Sequence, residues 1–170
     1  MAIIEGAYRG YQTAGAPTAG TDEVQTITIG GSPSAGTFTL TFDGFTTAPI
    51  TWSSTNNTLI ANIDAALGAL PNVGGASNVT TADSTLSSGV GDLTVTFVAA
   101  LGKRAVPLMT ANYSSLTGGT VAVAETTPGV NASARGAPKG ATLTDTTNGK
   151  QYINTGTAAA PTWTVVGSQS

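Results

Sequence analysis

The sequence predicts a mainly β fold: an antiparallel, sandwich-like domain with one packed helix, an extended N-terminal arm and a small C-terminal three-stranded meander. Three observations predict it. Apolar residues alternate strictly with threonines over Thr37–Phe42 and Leu93–Phe97, the period of a strand with one buried face. A single segment, near residues 57–70, instead carries apolar residues at helical spacing. Glycines and prolines, 22 and 8 in 170 residues, divide the rest into turns.

Residues 1–21 read as the arm. Tyr8, Arg9 and Tyr11 sit among Gly, Ala and Thr, with no period long enough to hold a strand or helix. Two readings stay open for it. One is a disordered tail; the other is a segment that orders on a partner, with Tyr and Arg as the anchors favoured at interface hot spots.

The main domain is expected over 22–126. Val24, Ile27 and Ile29 form a first strand, and Gly30-Gly31-Ser32-Pro33 carries turn chemistry. Phe38, Leu40 and Phe42 follow on one strand face, and Asp43-Gly44 signals a two-residue hairpin. The return strand holds Phe45, Ile50 and Trp52, with Pro49 restricting part of it to an edge or bulge. Asn56 or Asn57 is placed to cap the helix. Leu59, Ile60, Ile63, Leu67 and Leu70 then share a face, and Pro71 stops it. At about 13 residues such a helix is marginal alone and must lay this face on the sheet. Further strands are expected around Val79, at Leu93–Phe97, at Pro107–Asn112 and at Thr120–Ala124.

Residues 127–140 read as a linker rich in Gly and Pro. In 141–170, Leu143 begins a strand, Asn148-Gly149 signals a type I′ turn, Tyr152 and Ile153 return, and Trp163–Val166 makes a third strand. About thirty residues bury too little apolar surface to be stable alone, so this meander is expected to pack on the main domain or on another chain.

Composition bears on function. Only 9% of residues are charged, against about 25% in ordinary domains. A neutral Thr-rich surface suits coverage by neighbours; equally, Thr and Ser hydroxyls hydrate a surface well. The net charge is −3, and of the six basic residues only Lys103 and Arg104 adjoin. No basic stripe is present to neutralise phosphates, which argues against a nucleic-acid partner. No run approaches about 18 apolar residues, so no membrane span is expected, and Met1–Gly10 lacks the pattern of a secretory signal.

The chain has no His and no Cys, which removes the commonest general bases and nucleophiles. It reads as a non-enzyme with no cofactor and no metal. Asp43 belongs to a hairpin turn, Asp64 to the polar side of the helix, and Asp145 to a turn through Thr-Thr-Asn-Gly. Asp83 and Asp92 lie nine residues apart without the spacing of an EF-hand loop. Trp52, Tyr113, Tyr152 and Trp163 would offer a sugar-stacking surface if exposed together, but the alternating pattern makes Trp52 a core residue, and Trp163 anchors the meander equally well.

Two stretches carry a resemblance. The first comprises Asp22–Ile29, Gly36–Gly44 and Thr47–Ile50, with the helix end Ala69–Val73 and Leu93–Phe97. It resembles a module found in virion proteins of tailed bacteriophages. The second, Leu143–Gly156 with Pro161–Trp163, resembles a short β motif of phage head and tail appendages.

The resemblance implies a virion structural protein: a capsid decoration (cement) protein made in the host cytoplasm, bound to the major capsid protein on the outer capsid surface, and assembled as a trimer. The alternative is a head-fibre or tail-associated adhesin module that binds host carbohydrate. On the first reading Tyr8, Arg9 and Tyr11 contact the capsid, and Tyr152 and Trp163 contact other copies.

Overall fold

A computed structural model describes residues 11–13, 15–134 and 136–167. The chain is mainly β with antiparallel ladders and one α-helix, as the sequence predicts. It divides into two compact units. Residues 21–130 form the larger, and the described residues up to Gly20 and from Asn131 onward form the smaller. The larger unit is therefore an insertion within the smaller one.

The larger unit is organised on one long strand. The sequence suggests two strands separated by a turn at Gly30–Pro33; the structure has a single strand β2, Val24–Phe42. Its two halves take different partners, antiparallel throughout. Residues Val24–Ile29 pair with β6 (Gly91–Phe97), and β6 pairs with β5 (Val79–Asp83). Residues 37–42 pair with β3 (Phe45–Thr46) and β4 (Ile50–Thr51). Along the other side of β2 run β7 (Thr110–Asn112) and β8 (Leu116–Thr127).

The glycines explain why no reversal occurs at residues 30–33. Gly31 and Gly36 have φ of +77° and +106°, and the β2–β8 register slips between Gly31 and Ala35. The chain forms a bulge there and continues. A Cβ on Gly36 would lie 2.2 Å from the Ser115 carbonyl oxygen, so the close approach of the two backbones requires glycine.

The hairpin at Asp43-Gly44 forms as expected. Both residues have positive φ, 45° and 80°, and Phe42 faces Phe45 directly, which is the type I′ arrangement. Pro49 falls in the gap between β3 and β4. Across that gap the Leu40 N–H donates to the Thr47 hydroxyl at 3.1 Å, and the Thr47 N–H returns to the Leu40 carbonyl at 2.9 Å.

Helix α1 runs Asn56–Gly68, ending slightly earlier than the sequence suggests. Leu59, Ile63 and Leu67 are fully buried, Leu70 just beyond is buried, and Ile60 is half-buried against the core. The N-cap is Thr55, without a side-chain cap bond. Asn56 does not cap because its amide is engaged elsewhere. It donates to Asp83 and to the Leu86 carbonyl, and accepts from the Gly89 N–H. That pins the β5–β6 connection to the helix start. Phe42 and Phe97 stack in the core with ring centroids 4.9 Å apart.

In the smaller unit, β9 (Thr142–Asp145), β10 (Lys150–Asn154) and β11 (Trp163–Val165) form the expected antiparallel meander. A fourth strand, β1 (Tyr11–Thr13), joins it parallel to β9, with Tyr11 facing Leu143. The sequence left residues 11–13 in an arm because three residues are too few to show a period. The expected linker also divides. Val130 exchanges both backbone hydrogen bonds with Thr21, while Ala132 and Ala137 are buried parts of the smaller unit.

The Asn148-Gly149 turn differs from the expected type I′. Lys150 pairs with Asp145, so four residues form the connection; of Asn148 and Gly149, only the glycine has positive φ. The Asp145 side chain sets this longer turn by accepting the N–H groups of Thr147 and Asn148 and the Asn148 side-chain amide.

Candidate interaction surfaces

Buried polar side chains organise the loops in each unit. In the larger unit, Glu23 and Gln25 are buried at the start of β2. The Gln25 amide donates to Glu23 at 2.6 Å and to the Pro107 carbonyl, and accepts from the Met109 N–H. The Glu23 carboxylate also accepts the Val106 N–H at 2.7 Å. Asp22 accepts the Lys103 N–H at 2.7 Å and pairs with its ammonium at 3.4 Å. Three polar side chains, Asp22, Glu23 and Gln25, thus hold residues 103–109 against the sheet.

In the smaller unit the corresponding residues are Asp145 and Asn154, both fully buried. The Asn154 amide donates to the Ala137 carbonyl at 2.7 Å, and its oxygen accepts the N–H groups of Gly156 and Thr162 at 2.9 Å. The Asn148 side-chain amide holds the Asp145 carboxyl below its ordinary range. Burial opposes this, and the backbone N–H groups of Asn148 and Thr147 and the charge of Lys150 add to it. The sequence shows Asp145 as a turn former; it gives no sign that Asn154 is a hub, because a buried Asn and a loop Asn look alike in a Thr-Gly setting.

Of the residues expected to contact a capsid, Tyr8 and Arg9 lie outside the described residues, and Tyr11 lies in β1. Of those expected to contact other copies, Tyr152 is buried on the inner face of the small sheet beside Leu143. Trp163 is half-buried, with its indole N–H donated to the Ser133 carbonyl at 2.9 Å. The outward face carries different residues. Thr142, Gln151, Ile153, Thr164 and Val166 are all exposed, and Ile153 faces Thr164 across the ladder. Strand alternation sends Ile153 out because it sends Tyr152 in.

The four aromatics considered for sugar stacking are divided between the two units. Trp52 is half-buried against the larger core and donates to the Gly89 carbonyl at 2.9 Å. Tyr113 is exposed in that same unit, whereas Tyr152 and Trp163 belong to the smaller one. Three described carboxylates are each engaged by a different partner: Asp64 accepts the Thr81 N–H, Asp83 receives Asn56, and Asp92 receives the Thr28 hydroxyl. Among the described residues, no three His, Cys, Asp or Glu side chains cluster as a metal site would need, and no helix is long and apolar enough to cross a membrane.

The sheet edges differ in protection. Strands β1 and β11 have three residues each. The edge strand β5 is covered where Asp64 of α1 takes its Thr81 N–H at 3.1 Å. Strand β8 has 12 residues, and among the described residues its ladder is with β2 alone.

No family model matches the chain, and no curated protein matches it. Among solved structures, it is similar to a chain from Mycobacterium phage Patience, with a TM-score of 0.43 and 18% identity over 89% of this chain and 48% of that one. The chain thus spans about half the length of that neighbour.

Proposed function

We propose that the chain is a structural protein of a tailed-bacteriophage particle, a decoration protein that binds the major capsid protein on the outer capsid surface and bridges capsomers. One observation supports this reading above others: each stretch that resembles a virion module lies within a single folded unit. Asp22–Ile29, Gly36–Gly44 and Leu93–Phe97 supply β2, its hairpin and β6, the centre of the larger unit. Leu143–Gly156 and Trp163 supply three strands of the smaller one.

On this reading the small sheet is the attachment element. Its outward face of Thr, Gln, Ile and Val carries no charge that docking would have to desolvate. Each contact is weak alone, and repetition over a lattice raises the total through effective concentration. The trimeric state belongs to the same proposal and concerns the chain on the capsid surface.

The test uses particles produced without this chain, incubated with the purified protein and sedimented. Saturable co-sedimentation that Ile153→Lys abolishes supports the reading. Failure to bind such particles, together with binding to host surface polysaccharide, would replace it with the adhesin reading.

A further inference from the structure

We infer that β8 is a self-pairing edge, through which two copies of this chain join their larger units into one continuous antiparallel sheet. The inference concerns the chain in solution and does not rest on the virion reading.

Open strand edges template the addition of another strand, and proteins normally blunt them with lysines, prolines, inward charges or a covering element. The sequence of β8, Leu-Thr-Gly-Gly-Thr-Val-Ala-Val-Ala-Glu-Thr-Thr, has no proline and no basic residue, and its one charge is Glu125. The opposite edge of the same sheet, β5, is guarded by the Asp64 carboxylate. The contrast lies within one sheet, so general neutrality of the chain does not account for it.

The geometry selects the partner and its register. Residues Gly119–Glu125 pair with Gly31–Gln25 without a break, and register shifts bound that run at both ends. The flat part of the edge is therefore seven residues long with Ala122 at its centre. An antiparallel second copy with its twofold axis at Ala122 sets Val121 against Val123, Thr120 against Ala124 and Gly119 against Glu125.

Each pairing is compatible. The two Glu125 carboxylates fall at opposite ends of the new ladder, about 20 Å apart, well beyond the screening length of about 8 Å. Val121 is buried and Val123 half-buried, on the face that holds Ile29 and Ile27. The second copy's Val121 would extend that apolar face over Val123. Thr120, Ala122 and Ala124 are exposed on the other face and small enough to sit side by side. A foreign strand would gain the same backbone bonds; this strand's own sequence adds matched valines and separated charges.

The chain has no cysteine, which permits a direct test. Ala122→Cys, introduced into the full chain and oxidised, should give a disulfide-linked dimer, whereas Thr142→Cys on the small sheet should not. Light scattering should show twice the 16.7 kDa chain mass for the unmodified protein at high concentration. Ala122→Lys, which sets two ammonium groups against each other at the axis, should return it to a monomer with an unchanged circular dichroism spectrum. A protein that stays monomeric to millimolar concentration would overturn the inference. So would a dimer or trimer that Ala122→Lys leaves intact, or equal cross-linking at positions 122 and 142.

Discussion

The Asn154 side chain donates to the Ala137 carbonyl across 2.7 Å, tying the last residue of β10 to the segment that enters the small unit. The same amide accepts the Gly156 and Thr162 N–H groups, so one residue closes three chain segments. Asn154→Ala should leave these groups without a partner, at about 1–3 kcal/mol for each that stays buried. The two tryptophans separate the units: Trp163 reports on the small one and Trp52 on the large one. In single-tryptophan variants, the Asn154→Ala melting point should fall when read at Trp163 and stay unchanged at Trp52.

Asp145 gives the small unit a defined acid limit. Its folded carboxyl titrates below the ordinary value of 3.8. Its stabilising contribution is therefore fully present above that pH and is lost as pH falls through the lowered folded value. Unfolding followed at Trp163 should steepen below about pH 4, and Asp145→Asn should flatten that limb. An unchanged acid limb in the Asn variant would count against the role.

Gly36 and Gly44 both have positive φ but differ in surroundings. A Cβ at Gly36 meets the Ser115 carbonyl, whereas at Gly44 nothing lies within 4 Å. Gly44→Ala should cost only the left-handed backbone conformation, about 1–2 kcal/mol. Gly36→Ala adds a steric clash between two backbones and should cost clearly more. Chemical denaturation of the two variants gives the comparison.

Residues 21–130 should fold when produced alone. All the residues of the larger hydrophobic cluster lie between Ile27 and Val123, and the Thr21–Val130 pair closes the ends with bonds of 2.9 and 3.0 Å. A native-like near-ultraviolet spectrum with a cooperative melt at Trp52 is expected. Removal of residues 1–13 should instead lower the transition at Trp163, because it removes β1 from beside β9.

Much of the larger unit was legible in the sequence, because strict alternation at Phe38, Leu40 and Phe42 and helical spacing from Leu59 to Leu67 are local signals. The continuity of β2 was not. Gly30–Pro33 has the composition of a turn, and whether such a segment reverses or bulges depends on a partner strand, here Gly118-Gly119, nearly ninety residues away. The fourth small-sheet strand was hidden for a similar reason: a three-residue parallel pairing between Tyr11 and Leu143 leaves no local period. The outward face was half legible, since alternation separates Tyr152 from Ile153, but which of the two points inward depends on what packs beneath the sheet. The buried Gln25 and Asn154 were illegible, because their partners are backbone groups of distant loops.

The pairing at Thr21 and Val130, with the Thr18–Ser133 bonds just outside it, sets an order of failure under tension. A pull applied between residues 11 and 167 enters and leaves through the small sheet. Before it reaches the long β2 strand it must first part Thr18 from Ser133 and then Thr21 from Val130, one rung at a time. The inserted unit is thereby shunted out of the load path until those rungs open. In a single-molecule extension experiment the small sheet should yield first, and the large unit should unravel afterwards as a separate, later event.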